Sequence, residues 1–149
     1  MWTSSNQHGV HSPFVYQLLT NALYRNTKSP ESELFLQWQR KHNIRNPRKI
    51  KIINRALAYL NDASFSNAHT GGYTADRTLY INLMEQSHVE ILHKLISHPF
   101  VIVDHIDKQH EKWQKICHSP NVTLSIDFYT IGFLFYKPGQ HKENFKIRI

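Results

Sequence analysis

The sequence predicts an α/β fold with a mixed sheet, preceded by a helical N-terminal segment, and three observations carry that prediction. Residues 12 to 60 hold three apolar stripes at helical spacing, each opened by a polar residue followed by proline. Residues 78 to 118 then run strand, helix, strand, helix, and the second strand, "FVIVDHI", is a compact β-branched run of the kind covered on both faces in parallel sheets. The last third, "NVTLSIDFYTIGFLFYK", alternates with period two and breaks at Thr130 to Gly132, which reads as an antiparallel hairpin. Elements in this order build a layered α/β structure. The expected organisation is a helical segment over 1–60 and an α/β core over 61–149, the core forming one compact unit.

Each element has its own local reason. Ser12 and Pro13 supply an N-cap and a first-turn proline, and Phe14, Val15, Leu18, Leu19, Ala22 and Leu23 form the stripe behind them. A second helix is expected to start at Ser29-Pro30, with Glu31 and Glu33 in its first turn and Arg40, Lys41 and His42 in its last, matching the helix dipole at both ends. The third begins at Asn46-Pro47 and runs through Ile50, Ile53, Leu57 and Leu60. From Asn61 to Arg77 the pattern dissolves into a small, polar loop, with a short strand expected at 63 to 67. "TLYINL" (78 to 83) is a strand, and Ser87 followed by Glu90 has capping-box spacing ahead of Val89, Ile91, Leu92 and Leu95. A short helix is expected at about 108 to 118, and "NFKIRI" closes the chain as an edge strand.

At 149 residues, 40% hydrophobic and 12% aromatic, the chain is long enough for one domain with a real core. A single cysteine, Cys117, allows no internal disulfide, which fits a reducing compartment. No apolar run approaches the ~18 residues of a membrane span, and the N-terminus lacks the basic-then-apolar pattern of a signal peptide, so a cytoplasmic protein with no membrane partner is expected. Lys plus Arg exceed Asp plus Glu by seven, with a local cluster of Arg40, Lys41, Arg45, Arg48, Lys49, Lys51 and Arg55. Such a cluster is either a solvated face or a patch for phosphates, nucleic acid or acidic partners.

The histidines do not form a metal site by spacing. His88, His93 and His98 recur every five residues, so each is rotated ~140° from the last on a helix. His8 and His11 bracket a glycine directly before Ser12-Pro13 and read first as the approach to a helix. The one paired glycine, Gly71-Gly72, is either a turn that lets backbone approach a ligand or a plain loop reversal. Asp104 ends the apolar run "FVIV", so its carboxylate is expected at the carboxyl end of a buried strand, where open α/β sheets bind ligands. It would hold a metal, orient a substrate, or simply cap the next segment.

Two blocks together, "NQHGVHSPFVYQLL" and "FVIVDHI…HSPNVTLSIDFYTIGFLFYKPGQHKENFKIRI", resemble the N-terminal signature and the C-terminal end of a family of class I S-adenosylmethionine-dependent methyltransferases of Bacteroidetes type. The resemblance covers under half of the chain. It implies a Rossmann-like methyltransferase sheet, reduced in size, that closes with an antiparallel hairpin. It also implies a cofactor, S-adenosyl-L-methionine, and a small-molecule methyl acceptor. The family's acid-x-Gly-x-x-x-Gly turn falls on "SFSNAHTGG", with Ser66 in the acid position, Ala68 in place of the first glycine, and Gly71 and Gly72 at its end. Glu85, or Met84 one residue earlier, takes the place of the acid that binds the ribose. In related cation-dependent O-methyltransferases an Asp-Asp or Asp-Asn pair at the end of this strand binds a divalent metal, and here the pair is Asp104-His105. Histidine in place of the second oxygen ligand disfavours magnesium and leaves a softer metal, or none.

Three functional expectations follow. The chain is a methyltransferase-like protein with activity reduced or absent; or it is a non-catalytic binding or regulatory module derived from that fold; or it binds nucleic acid through the 40 to 55 cluster, the least favoured of the three. Whether it is an enzyme stays open, because methyl transfer from an activated sulfonium depends mainly on holding donor and acceptor in line, and the cofactor turn is altered.

Overall fold

The computed structural model describes residues 12–25, 32–62, 64–65 and 70–149, together with the backbone of 3–5. The chain divides into two compact units, Gln7–Asp76 with Ile149, and Arg77–Arg148 with Met1–Asn6.

The helical unit follows its caps. In α1 (Pro13–Leu18) the Ser12 hydroxyl accepts from the Val15 N–H, and the helix then widens into a π-helical stretch over Leu19–Leu23. The Tyr24 N–H reaches back five residues to the Leu19 carbonyl. Val15, Leu18, Leu19, Ala22 and Leu23 are all buried, so the predicted stripe is the inward face. α2 (Glu33–His42) starts later than expected, with Ser32 and not Ser29 as its cap, while 26–31 lie outside the described residues. Asn43 closes it in the left-handed conformation (φ 54°). α3 (Pro47–Asn61) begins where expected, and the Asn46 side chain accepts from the N–H groups of Arg48 and Lys49.

A six-stranded sheet forms the second unit: β1 (Thr3–Ser5), β2 (Thr78–Asn82), β3 (Phe100–Asp104), β4 (Leu124–Asp127), β5 (Ile131–Phe135) and β6 (Glu143–Ile147). Their spatial order is β1-β6-β4-β5-β3-β2, and only β5 runs against its neighbours. The predicted α/β class and the β4–β5 hairpin are therefore present. Two sequence expectations change. "NFKIRI" is not an edge strand, because β1 pairs outside it. The expected strand at 63 to 67 is absent among the described residues, where 64 and 65 are turn and bend.

Successive strand residues face opposite sides, and in-register neighbours share a side. One face carries Ile81, Val101, Val103 and Leu134 and is covered by α4 (His88–Lys94) and α5 (His110–Cys117) through Ile91, Leu95, Trp113, Ile116 and Cys117. α4 opens with the predicted capping box between Ser87 and Glu90. The other face is aromatic: Phe100 stacks on Phe135 with centroids 4.4 Å apart, and Phe133 meets Phe100 and Phe128 edge-on. Gly132 lies inside β5 on the helix-covered face, not in the turn; a Cβ there would run into the Trp113 ring. No helix among the described residues is long and apolar enough to cross a membrane.

Candidate functional site

Asp104 sits where the sequence places it, at the last position of β3, and it is 3% exposed. Its register partner on β2 is Asn82, so it shares the aromatic face with Tyr80, whose partner is Ile102. The Tyr80 hydroxyl donates to Asp104 Oδ2, and the His105 N–H donates to Oδ1 at 2.7 Å. Burial, and then the bond to Asp104, raises the Tyr80 phenol well above the ordinary tyrosine range. His105 takes a left-handed backbone conformation (φ 64°), and its Nε2 stands 3.9 Å from Asp104 Oδ2, too far for a hydrogen bond. Both carboxylate oxygens thus serve the end of the strand. The pair expected to hold a metal is adjacent, yet no three His, Cys, Asp or Glu side chains among the described residues gather as a metal site.

Glu85 is exposed in the turn that follows β2. Its Oε1 accepts from Asn82 Nδ2 at 3.3 Å and its N–H donates to the Asn82 carbonyl at 3.0 Å, while the Met84 N–H donates to Asn82 Oδ1. The turn is closed on itself, at the end of β2, one of the two edge strands among the described residues.

Gly71 and Gly72 belong to the helical unit, whereas Glu85, Asp104 and His105 belong to the sheet unit. Gly71 (φ 66°) is glycine because a Cβ would come within 3.0–3.2 Å of the Tyr73 and Phe14 rings, which meet at 5.3 Å. Gly72 (φ 79°) faces open space and is required only by its dihedral. The pair is therefore a tight turn under an aromatic contact. Ala68, Ser66, His8 and His11 lie outside the described residues.

What the sequence reading missed is on the opposite face of the sheet. A cleft of about 280 Å³ lies at the carboxyl ends of β4 and β6 and is lined by Ile106, Asp107, His110, Asp127, Tyr129, Lys146 and Arg148. Asp127 organises one wall. Its Oδ2 accepts from Trp113 Nε1 at 3.2 Å, and its Oδ1 accepts from the Tyr129 N–H at 2.7 Å, which holds the hairpin turn with Tyr129 at φ 82°. Lys146 is the register partner of Asp127, and Arg148, two residues on, stands over the Tyr129 ring at 5.5 Å. A signal was available: "LSID" ends in an acid just as "FVIVD" does, and Lys146 and Arg148 are two apart, so they share a face.

Cys117 is buried, and burial pushes its thiol up to about 12, so it is not a nucleophile at neutral pH.

Fold and site together define an open, mixed α/β sheet with the carboxylates of Asp104 and Asp127 at the carboxyl ends of β3 and β4. Compared with known proteins, the chain matches no protein family, no curated protein and no solved structure.

Proposed function

We propose that the chain is a non-catalytic, small-molecule-binding module on a methyltransferase-like sheet, and that it does not turn over S-adenosylmethionine. The kinship rests on the resemblance of the two ends together with the strand order β2-β3-β5-β4, in which the reversed β5 is inserted between β3 and β4. The observation that carries the loss of cofactor chemistry is the position of Glu85. A nucleoside cofactor on an open α/β sheet sits in a crevice between neighbouring strand ends, and Glu85 follows β2, which has a neighbour on one side only among the described residues. Two further observations support this reading: the Phe14 and Tyr73 rings lie close against Gly71, one of the residues proposed for the cofactor, and Asp104, proposed with His105 for a metal, is bonded to Tyr80 and its own loop.

Binding is assigned instead to the cleft beside Asp127. Its volume falls just below that of most ligand pockets, which span roughly 300–1,000 Å³, and its lining carries two carboxylates, two cations, a histidine and a phenol. That balance suits a small polar molecule with groups of both signs better than an apolar one or a polyanion. Calorimetry on the folded chain should find no saturable binding of S-adenosylmethionine or S-adenosylhomocysteine up to high micromolar concentration. A saturable heat with either compound, or methyl transfer to any acceptor, would sink this reading. In a thermal-shift screen of amino acids and small hydroxy acids, a stabilising hit that disappears in Arg148→Ala supports the cleft.

A further inference from the structure

We infer that the hairpin of α2 and α3 is a nucleic-acid docking surface that holds the phosphate backbone. Residues 34 to 61 contain seven Lys and Arg and no Asp or Glu, and the fold sorts these cations by position. Arg40, Lys41, Arg45 and Lys51 are exposed; Arg48 and Arg55 are half-buried; only Lys49 is buried. Within α3, Arg48, Lys51 and Arg55 follow one another at steps of three and four, which sets them along one side over about 10 Å of helix axis, and Arg45 lies in the connection just before it. Arg40 and Lys41 lie in the last turn of α2, which a connection of four residues, Asn43 to Asn46, joins to α3.

The connection between the two helices is tied down by local contacts. Ile44 is buried within the connection, Gln39 Nε2 donates to its carbonyl at 3.2 Å, and Asn46 caps α3. Arg45 is held through Nε by Asn43 Oδ1 at 2.9 Å. Arg55 donates to the Leu23 carbonyl at 3.0 Å, so it serves mainly the unit's own packing. Arg48 is set aside with it as half-buried, and the four exposed cations, Arg40 (whose Nε also donates to the Leu36 carbonyl at 3.4 Å), Lys41, Arg45 and Lys51, are the groups assigned to phosphates.

Charge alone would also suit an anionic membrane or an acidic protein, but both of those partners bind more firmly where apolar groups at the surface enter the lipid interface or form a dry interface core. The exposed large hydrophobic side chains among the described residues are Tyr16, Met84, Val89, Ile96 and Tyr129, and none lies between 32 and 62. A surface that is cationic, amide-rich and without an exposed large hydrophobic side chain fits nucleic acid, whose affinity is carried chiefly by counterion release.

The test is fluorescence anisotropy of a labelled 24-base-pair DNA duplex, and of a single-stranded RNA of equal length, with the whole chain. Four phosphate contacts predict a slope of log affinity on log salt near −3.6 for the duplex, roughly a hundredfold loss between 50 and 200 mM salt. Arg45→Gln/Lys51→Gln should weaken binding at least tenfold and reduce the slope by about 1.8. Lys108→Gln/Lys115→Gln removes the same charge from exposed positions of the sheet unit and should change neither quantity, with circular dichroism melts showing both variants folded. No saturable binding at 50 mM salt overturns the proposal, as do equal losses in the two double variants. Binding confined to phosphatidylserine vesicles would overturn it in favour of a membrane surface.

Discussion

Replacing Gly132 by alanine should destabilise the sheet unit, although the same change in a strand ordinarily stabilises by about 0.5–1 kcal/mol. A Cβ at this position would lie 2.6 Å from Cζ2 and 3.1 Å from Cζ3 of the Trp113 ring, and closer still to Cη2. Carbon atoms rest about 3.5–4.0 Å apart, so the ring would have to withdraw by about 1 Å. It has nowhere to go: Trp113 is 0% exposed among Val103, Leu134 and Ile116, and its Nε1 is tied to Asp127. Overpacking of this kind costs about 1–3 kcal/mol, and stretching the indole bond adds up to about 1 kcal/mol. Melting followed by circular dichroism should therefore show Tm lower by about 5–10 °C. Trp113→Phe is costly by itself, yet in that background the shorter ring admits the alanine, so the double variant should be more stable than the sum of the two losses by about 1–2 kcal/mol. A Gly132→Ala protein that melts at or above the parent temperature, or a double variant that is strictly additive, refutes the packing argument.

Two further outcomes follow from buried titratable groups. Because burial holds the Cys117 thiol up at about 12, the native protein at pH 8 should react with a disulfide reagent only as fast as it unfolds, and immediately in guanidinium; rapid stoichiometric labelling of the native chain would contradict this. Burial also raises Tyr73 to about 12 and raises Tyr80, the latter with help from Asp104. An unfolded tyrosine ionises near 10, so the folded form holds protons that the unfolded form loses above that pH. Their contribution is intact below about pH 10, and each should then reduce stability by up to about 1.4 kcal/mol per pH unit toward 12. Denaturant melts between pH 9 and 12 measure the slope, and a flat profile would remove the argument.

The elements that were legible in the sequence are those whose cause is local. Ser12-Pro13, Asn46-Pro47 and the Ser87 to Glu90 capping box each stop or start a helix through bonds spanning two to four residues. Ser29-Pro30 offered the same signal, yet α2 caps at Ser32, whose backbone N–H is held by Asn54 Oδ1 at 3.1 Å, 22 residues away. β1 has three residues, and its partner Phe145–Ile147 lies at the far end of the chain, so nothing near it in sequence announces a strand. Gly132 read as a turn glycine because glycine breaks an alternating pattern; its reason is Trp113, 19 residues earlier, and the turn belongs to Tyr129.

The two strand-ending aspartates show where local reading of a site stops. Asp104 and Asp127 both close an apolar run, and both emerge at the carboxyl end of a strand that is parallel to others. Which side of the sheet each faces depends on register. Asp104 is aligned with Ile131 and Asp127 with Gly132, one residue apart on β5, so the two carboxylates face opposite sides. On the aromatic side Asp104 meets the Tyr80 hydroxyl and is drawn into the end of the sheet. On the side of α5, Asp127 meets the buried Trp113 indole and the Tyr129 backbone, and Asp127 and Tyr129 both border the cleft. The reversed strand is what creates this difference. Because β5 runs opposite to β3 and β4, its hairpin turn rises at the carboxyl ends, where an all-parallel sheet would have a crossover helix, and it sets Tyr129 as a wall beside Arg148. A sequence that marks the acid at the end of a strand therefore points to the right edge of the sheet. Only the pairing of β5 decides which acid at that edge borders a cleft.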